Sequence, residues 1–446
     1  MSRIKIMIVT GTRPELIKVS VLIKLMKIDP DIDLVFVHSG QHYDEKMFGT
    51  FIKDLHLPLP DYNLNVGSHP NSIQTGKMLI SLYEIINKMT PDIILSQGDT
   101  NTVLASALTA FKNFIPFGHI EAGIRSFDMR MPEEINRILT GCCSIFNFAP
   151  TKLSVENLLN DGILPKHIYL VGNPIVDAVN ENLQIAQKYS HIEKKLNLTE
   201  NNKFALLTMH RPSNVDNIEN LQKIVHSLLK LKEVDIIFPA HPRTKKKLKD
   251  FDLLDKMFNS SNITIIDPVN YLDMLKLMSL SYMIVTDSGG LQEEAVILKK
   301  PCITLRENTE RPESVEVGAN ILVGNDELKI QNSINQLWND TAYYKSMIPL
   351  RNPFGDGKTS ERIIKIIKEA FVNKQLSMPF ISFKKISPHC KLIKTEDFEN
   401  IPISVEQFEQ KNGLIIMEIF GELGNPVFPE KTLILEKKMM LKVRYI

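Results

Sequence analysis

The chain has few cysteines and almost no net charge. Its 446 residues include only four cysteines, none in a C-x-x-C spacing, which excludes a disulfide framework and the usual zinc-binding patterns. We expect these cysteines to be reduced thiols. Lysine and arginine total 53 against 52 for aspartate and glutamate. The bulk charge therefore indicates neither a nucleic-acid partner nor an acidic membrane surface as a partner.

Long apolar runs and several well-known motifs are also absent. No segment approaches the ~18–20 apolar residues of a membrane-spanning helix, and the apolar start of the chain is too short for a signal peptide. We therefore expect a soluble, cytoplasmic protein. The sequence contains no Walker A loop, no complete G-x-G-x-x-G and no H-E-x-x-H. We predict no dinucleotide redox chemistry and no catalytic metal.

Short apolar runs alternate with helix-forming segments over most of the chain. Residues 4–9 are apolar at nearly every position, as strands of parallel sheets are. A helix is predicted next, with a capping-box pair at Thr12 and Glu15, Pro14 in its first turn, and an end near residue 28. A second series of the same kind begins with a strand at 204–209. The alternation predicts an α/β fold of two Rossmann-like, doubly wound domains that face a cleft.

Composition and pattern set the predicted domain boundaries. Residues 1–173 form the first Rossmann-like domain and residues 174–356 the second, with a polar connection near 187–200. A closing helix is predicted within 357–376. Residues 377–446 carry β-type runs and no motif, and we interpret them as a small C-terminal β-rich appendage of unknown role. The alternative is a partner-binding tail.

Two acidic residues are predicted at the carboxyl ends of neighbouring strands. Asp99 follows the strand at 92–97, and Glu121 follows a short apolar run at 115–120. His119 precedes Glu121 by two residues, so their side chains share a face if the chain is extended there. Open α/β sheets bind their ligands at this edge. Asp99 could equally be the N-cap of the next helix.

A third acidic position is predicted at the start of the following helix. Pro132 suits its first turn, which leaves Glu133 and Glu134 in that turn and Arg137 one turn further along. Acidic residues there also favour the helix dipole without any chemistry. Three acids close to a histidine and an arginine nevertheless favour a site for proton abstraction and return.

Two helix starts have the features of an anion site. In the first domain, Arg13 and Lys18 place positive charge beside a helix that follows a glycine turn. The alternative is an ordinary capped helix with solvated basic residues. In the second domain, Ser288, Gly289 and Gly290 open a helix at which backbone N–H groups can approach an anion.

Other residues strengthen the second of these predictions. Glu294 lies about one turn into the helix, where it could reach sugar hydroxyls. Basic side chains that follow neighbouring strands make a diphosphate site the better interpretation: His210, Arg211, His241, Arg243 and Arg311. His241 and Arg243 could also be solvated loop residues.

Several motifs occur along residues 4–372 in an order that resembles the non-hydrolysing UDP-N-acetylglucosamine 2-epimerases. They are G-T-R-P-E-L-I-K (11–18), Q-G-D-T-N-T-V-L-A (97–105), G-H-I-E-A-G-I-R-S-F-D-x-R-M-P-E-E-I-N-R (118–137), H-R-P-S-N (210–214), H-P-R-T (241–244), T-D-S-G-G-L-Q-E-E-A (286–295) and T-E-R-P-E (309–313). The resemblance implies a GT-B fold with the active site in the interdomain cleft, and a closing helix that returns to the first domain. It also implies a homodimer, a UDP-sugar substrate, and a reaction that requires no cofactor and no metal.

The resemblance further implies a reaction and roles for individual residues. UDP leaves C1 as the C2 proton is removed, and UDP re-adds after the 2-acetamidoglucal is re-protonated on the other face, which converts UDP-GlcNAc to UDP-ManNAc for surface polysaccharide synthesis. The implied catalytic residues are Asp99, Glu121, Glu133 and His210, supported by Arg137. The implied substrate contacts are Arg13, Lys18, His241, Ser288, Gly289, Gly290, Glu294 and Arg311.

Some positions depart from the family pattern, and other reactions stay open. Ser213 replaces the usual glutamate, while Val269 and Met274 are less polar and less aromatic than usual in the uracil segment. Gln41 and His42 match a possible allosteric site for a second UDP-GlcNAc. The alternatives are an epimerase of a modified UDP-HexNAc, a hydrolysing 2-epimerase, a GT-B glycosyltransferase, and a nucleotide-sugar-binding protein without turnover.

Overall fold

A computed structural model describes residues 3–41, 45–199 and 202–376, together with four later strands. The chain divides into two compact units, Met1–Met378 and Pro379–Ile446. Two parallel sheets, of seven and six strands, organise the first unit. The predicted α/β class is therefore confirmed. None of the helices in the described ranges combines the length and the apolar character needed to cross a membrane.

The first sheet has the strand order β3-β2-β1-β4-β5-β6-β7, and all neighbouring strands run parallel. Its strands are β1 (Ile4–Thr10), β2 (Ile32–His38), β3 (Tyr62–Asn63), β4 (Ile93–Gln97), β5 (Phe117–Ile120), β6 (Phe146–Ala149) and β7 (Ile168–Leu170). The helices of this half are α1 (Arg13–Ile28), α2 (Glu45–Asp54), α3 (Asn71–Met89), α4 (Asn101–Lys112), α5 (Pro132–Cys143), α6 (Lys152–Asn160) and α7 (Pro174–Tyr189), with a short 3-10 helix at Pro165–His167. Because β1 pairs with both β2 and β4, the winding reverses there and opens a crevice at the carboxyl ends of these strands.

The second sheet has the order β10-β9-β8-β11-β12-β13 and is also parallel. Its strands are β8 (Ala205–Thr208), β9 (Ile236–Pro239), β10 (Ile263–Ile266), β11 (Met283–Thr286), β12 (Cys302–Thr304) and β13 (Asn320–Leu322). The helices are α8 (Ile192–Lys195), α9 (Pro212–Val215), α10 (Ile218–Lys230), α11 (Pro242–Asp250), α12 (Leu254–Phe258), α13 (Tyr271–Leu280), α14 (Gly289–Ile297), α15 (Pro312–Glu316), α16 (Glu327–Asn339), α17 (Thr341–Ser346) and α18 (Thr359–Val372). Here the winding reverses between β8 and β11.

Helix α1 forms for the reasons that its sequence indicates. Pro14 lies in its first turn, and the Glu15 carboxylate accepts hydrogen bonds from the backbone N–H groups of Gly11, at 2.5 Å, and Thr12, at 3.3 Å. These bonds satisfy donors that a helix start otherwise leaves unpaired. The buried face of α1 then packs into the core of the first sheet through Leu16, Val19, Leu22, Ile23 and Met26.

The last helix of the first unit packs against the first half of the chain. Ile363, Ile364 and Ile367 of α18 lie in the same apolar cluster as the buried face of α1. Each such buried side chain contributes about 1.5–3 kcal/mol relative to exposure. An ion pair of 3.0 Å between Lys368 Nζ and Asp29 Oδ1 joins α18 to the end of α1. Helix α18 therefore ties the chain that follows the second sheet back to the first.

The second unit contains two antiparallel strand pairs among its described residues. Strand β14 (Ile403–Lys411) pairs with β15 (Leu414–Gly421), and β16 (Thr432–Leu435) pairs with β17 (Met439–Lys442). Strands β15, β16 and β17 overlap β-type runs of the sequence at 414–419, 432–435 and 441–445, whereas β14 lies outside them. The interpretation of the whole segment 377–446 as a β-rich appendage stays a prediction.

Candidate active site

The candidate site lies where the carboxyl ends of the two sheets face each other within the first unit. Gly98 follows β4 and Glu121 follows β5 in the first half, while His210 follows β8 and Asp287 follows β11 in the second. Direct contacts join the two halves at this point. The Arg311 guanidinium of the second half lies 3.2 Å from the Glu121 carboxylate of the first.

Glu121 is a buried carboxylate of the first half that three neighbouring side chains hold in place. Strand β5 ends at Ile120, and Glu121 adopts a φ of 68°, a left-handed conformation that few non-glycine residues take. Its Oε1 lies 2.6 Å from Lys18 Nζ, and its Oε2 accepts a hydrogen bond from the Gln97 amide. Burial opposes ionisation, but Lys18 and Arg311 outweigh it and hold the pKa of Glu121 below its ordinary value. Glu121 is therefore a buried, ionised carboxylate.

The same two cations also contact a second buried carboxylate. Lys18 Nζ lies 3.2 Å from Glu293 Oε2, and Arg311 Nε donates to Glu293 Oε1. Burial lowers the pKa of the Lys18 ammonium, but Glu121 and Glu293 more than compensate and raise it. The predicted substrate contacts Lys18 and Arg311 thus lie together and remain charged. Glu293 was not identified as a functional candidate in the sequence.

Asp99 and Arg137 form the second charged group of the first half. Arg137 donates from Nε, at 2.9 Å, and from Nη2, at 2.6 Å, to Asp99 Oδ2, and it donates from Nη1 to Glu134 Oε2 at 2.6 Å. The Asp99 side chain keeps 32% of its surface exposed, so it faces the crevice. Arg137 therefore fixes Asp99 at the crevice wall.

The two neighbouring glutamates of α5 have different surroundings. Glu134 is buried and also accepts hydrogen bonds from the backbone N–H groups of Ser126, at 2.9 Å, and Phe127, at 3.1 Å. Glu133 is exposed, and it lies close enough to Arg211 of the second half for its charge to favour that guanidinium. Glu134 is fully occupied in holding Arg137 and the preceding loop, and the role of Glu133 in the site stays a prediction.

His210 projects into the crevice from the second half. Its Nδ1 lies 3.3 Å from Asp287 Oδ1, and its side chain is 46% exposed. Asp287 is buried and also accepts the backbone N–H groups of His210, at 3.0 Å, and Arg211, at 2.9 Å. This arrangement directs Nε2 of His210 away from Asp287. The ring of His241 lies 6.3 Å from that of His210, between centroids.

The glycine-rich start of α14 lies at the winding reversal of the second sheet. Ser288 precedes the helix, and Gly289 and Gly290 are its first residues, partly or fully exposed. A Cβ added to Gly290 would meet no atom within 4 Å, so its surroundings are open. The backbone N–H groups of Gly289 and Gly290 are available to an anion, whereas that of Ser288 donates to Thr286 Oγ1 at 3.0 Å.

Glu294 lies one turn into α14 and is buried. Burial raises its pKa to about 7, the negative charge of Glu293 adds to the rise, and a hydrogen bond with Tyr271 opposes it. The side chain is therefore close to half protonated at neutral pH. In that state it can donate as well as accept a hydrogen bond.

Three remaining predicted residues lie at the edge of the site. Arg13 is the exposed first residue of α1, beside the carboxyl end of β1. Gln41 is buried, and its Oε1 accepts a hydrogen bond of 2.9 Å from Thr102 Oγ1. His42 lies outside the described residues. Within the described part of the chain, no group of three or more His, Cys, Asp and Glu side chains could hold a metal ion.

His119 lies beneath the site and does not face it. Its Nε2 donates to the carbonyl oxygen of Gly98 at 2.8 Å, and burial lowers the pKa of the ring to about 4. The expectation that His119 and Glu121 share an extended face does not hold, because the chain leaves the strand conformation at Glu121. His119 is therefore a neutral support for the turn that carries Asp99.

Comparison with known proteins identifies relatives over most of the first unit. The sequence profile of the family described as UDP-N-acetylglucosamine 2-epimerase matches residues 24–368. A protein named UDP-N-acetylglucosamine 2-epimerase from Methanocaldococcus jannaschii is 49% identical over 367 residues, which cover 81% of this chain and 98% of that protein. A protein of the same name from Methanococcus maripaludis is 48% identical, with the same coverage of both chains.

The fold has a close counterpart among solved structures. The crystal structure of the M. jannaschii UDP-GlcNAc 2-epimerase in complex with UDP-GlcNAc and UDP superposes with a TM-score of 0.73 at 48% identity. The match covers 82% of this chain and all of that one. The two parallel sheets therefore form a GT-B-like fold.

Proposed function

The chain belongs to the family of UDP-N-acetylglucosamine 2-epimerases, and we propose on that premise that it interconverts UDP-GlcNAc and UDP-ManNAc by eliminating and re-adding UDP. The observation that carries the proposal is the position of Glu121. This buried carboxylate is held by two cations at the point where acidic residues of one sheet face an open helix start of the other. Such a site can remove a proton and stabilise a leaving diphosphate at the same time.

In the first half-reaction a base takes the proton from C2 of the sugar. The electron pair of the C2–H bond forms the C1=C2 double bond, and the C1–O bond breaks so that its electron pair leaves on the β-phosphate of UDP. The product is the 2-acetamidoglucal. Return of a proton to the opposite face of C2 and attack of UDP at C1 complete the inversion. The sequence of steps requires groups on both faces of C2 and a site that retains UDP.

We assign the proton transfers to the carboxylates of the first half and to His210. Glu121 and Asp99 line one wall of the crevice in ionised or ion-paired form, and Glu133 lies at its rim near Arg211. His210 approaches from the opposite half with Asp287 behind it. Groups that enter from both walls are what exchange of a proton between the two faces of C2 demands.

The start of α14 is assigned to the departing diphosphate. The open backbone at Gly289 and Gly290 offers N–H donors and Ser288 offers its hydroxyl, while Lys18 and Arg311 add positive charge next to Glu121. Arg13 and His241 lie at the edges of the same crevice. Glu294 is assigned to the ribose hydroxyls because it lies one turn deeper in α14.

We also propose that the protein is a homodimer. Apolar side chains remain exposed on the helices α3, α4 and α5, of which α3 packs against α4 and α4 packs against α5. They are Ile73, Ile80, Tyr83, Phe111, Ile135 and Leu139. Several exposed apolar side chains on helices that pack side by side favour a protein interface there. Light scattering of the purified chain tests it: a mass of twice 50.8 kDa is expected, and a monomeric mass would contradict the proposal.

The reaction is tested with UDP-GlcNAc in D2O, followed by proton NMR. The proposal predicts that UDP-ManNAc appears with UDP still attached and that deuterium enters C2 of both sugars. Release of free ManNAc and UDP would instead indicate a hydrolysing enzyme. Without exchange at C2, the assignment to UDP-GlcNAc would fall, and modified UDP-HexNAc sugars would be tried next. The domain boundaries, the cytoplasmic location and the role in surface polysaccharide synthesis stay predictions.

A further inference from the structure

Glu293 is a fully buried carboxylate that the proposed reaction leaves without a role. It lies on α14 between the anion-binding helix start and Glu294, and none of its surface is exposed. A buried carboxylate is costly unless charged or hydrogen-bonding partners surround it. Its partners are therefore the first indication of what it does.

Each oxygen of Glu293 contacts a residue that is tied to the site. Oε1 accepts hydrogen bonds from Arg311 Nε and, at 2.9 Å, from Nδ2 of Asn173, the residue that precedes α7. Oε2 lies 3.2 Å from Lys18 Nζ. The same ammonium lies 2.6 Å from Glu121, and the same guanidinium lies 3.2 Å from Glu121. Two cations and two carboxylates thus form a closed ring.

The ring joins the two halves of the unit and is electrically balanced. Lys18 and Glu121 belong to the first half, while Arg311 and Glu293 belong to the second, so both Lys18–Glu293 and Arg311–Glu121 cross the crevice. Two positive and two negative charges cancel. The charges of the ring also affect neighbouring groups. The negative charge of Glu121 acts to raise the pKa of His119, and that of Glu293 acts to raise the pKa of Glu294. The negative charge of Asp99 also acts to raise the pKa of His119.

From this geometry we infer that Glu293 is a positioning residue: it holds Lys18 and Arg311 in the orientation in which they grip Glu121 and face the departing diphosphate. Glu293 contacts neither C2 nor the phosphates itself. Its negative charge keeps the two cations from binding the diphosphate so tightly that UDP cannot re-add and leave. The inference rests on the proposed function, because it assigns the ring to the same site.

Neutralising Glu293 has consequences that mere packing does not predict. In Glu293→Gln the ring gains one net positive charge while the side-chain volume is kept. The pKa of Glu121 falls further, because Lys18 and Arg311 are then shared with one fewer carboxylate. The pKa of Glu294 falls as well, because Glu293 no longer opposes its ionisation. A weaker base slows proton abstraction, while the added positive charge tightens UDP binding.

The test compares wild-type protein with Glu293→Gln by UDP calorimetry, by turnover of UDP-GlcNAc and by the pH profile of kcat/KM. We expect kcat to fall at least about tenfold, UDP affinity to rise several-fold, and the acidic limb of the profile to move to lower pH by about one unit. Glu313→Gln is the matched control. Its carboxylate also bridges the two halves, because Glu313 Oε1 accepts a hydrogen bond of 2.6 Å from Thr151 Oγ1, but it contacts neither Lys18 nor Arg311. It should leave all three quantities unchanged.

Unchanged or weakened UDP binding in Glu293→Gln, together with an unmoved acidic limb, would overturn the inference. If that variant does not fold, Glu293→Asp keeps the charge but withdraws the carboxylate by one methylene. It should lose about tenfold in kcat without a shift of the acidic limb, and wild-type kcat in this variant would equally overturn the inference. If wild-type protein failed to epimerise UDP-GlcNAc, the proposed function would be wrong. The UDP affinities of wild type and Glu293→Gln would still test whether Glu293 limits how tightly Lys18 and Arg311 bind the diphosphate.

Discussion

The two sheet edges that face the crevice are built differently. The edge of the first sheet carries charged side chains already engaged with partners: Glu121 with Lys18, and Asp99 with Arg137. The edge of the second sheet offers open backbone at Gly289 and Gly290, and the exposed side chains of His210 and His241. Fixed charges suit chemistry, and open N–H groups suit a ligand that arrives and leaves. We therefore assign most of the proton transfer to the first edge and UDP binding to the second.

The largest effect is expected from Glu121→Gln. General acid–base groups contribute about 10²–10⁴-fold, so kcat should fall by that range. UDP affinity should hold or rise, because Lys18 and Arg311 lose a competing negative charge. Steady-state kinetics and calorimetry with UDP measure the two quantities. If UDP binding were lost in the same proportion as turnover, the assignment of proton transfer to the first edge and of UDP binding to the second would be contradicted.

A smaller loss of turnover is expected from Arg137→Lys. The guanidinium donates twice to Asp99 and once to Glu134, and an ammonium cannot reproduce that geometry. We expect kcat to fall about tenfold to a hundredfold with little change in UDP affinity. Arg130→Lys is the matched control, since Arg130 is exposed and pairs only with Asp128 on the same loop among the described contacts. Equal effects of the two substitutions would contradict the role of Arg137.

The second edge is tested by Gly290→Ala. A Cβ at this position meets no protein atom within 4 Å, so the fold should accept it, but the methyl group takes space at the predicted diphosphate contact. We expect UDP to bind about tenfold more weakly, which corresponds to about 1.4 kcal/mol. The control is Gly76→Ala in α3, where an added Cβ also meets open space. If Gly290→Ala bound UDP as tightly as wild type, the assignment of the diphosphate to this helix start would be wrong.

A further prediction concerns a different quantity, the pH dependence of the free energy of unfolding. The pKa of Glu294 rises from 4.5 to about 7 on folding, chiefly through burial. Its contribution is therefore fully present below pH 4.5 and is lost as the pH rises through 7, by about 3 kcal/mol. Thermal melts from pH 5 to 8.5 should show a smaller decline for Glu294→Gln than for wild type. Burial also raises the pKa of Glu15 to about 7, so the titration of Glu15 contributes to the decline in stability in both proteins. Parallel curves would show that Glu294 does not titrate in this range.

Much of the fold could be predicted because its signals are local. Apolar runs of four to seven residues, followed by glycine, proline or capping residues, mark where parallel strands end and helices begin. The strand that ends before Asp99 and the helix that Pro132 opens are both examples. Since all carboxyl ends of a parallel sheet meet at one edge, Asp99 and Glu121 were predicted at the same edge, and the paired strands β4 and β5 place them there.

The remaining features depend on side-chain direction and burial, which the sequence does not reveal. Adjacent glutamates such as Glu293 and Glu294 differ by about 100° around a helix, and only the packing of the two halves shows that Glu293 contacts Lys18. The left-handed turn at Glu121 has no glycine to signal it. Asp287 lay within a recognised motif, but its bonds to the His210 and Arg211 backbone appear only in three dimensions.

The most direct test of this division measures UDP affinity and C2 deuterium exchange together in Glu121→Gln and Gly290→Ala. The account predicts opposite patterns. Glu121→Gln should bind UDP at least as well as wild type and lose exchange, whereas Gly290→Ala should bind UDP about tenfold more weakly and still exchange at saturating UDP-GlcNAc. If both variants lost binding and exchange in the same proportion, the two edges would not have separate tasks, and the account would be contradicted.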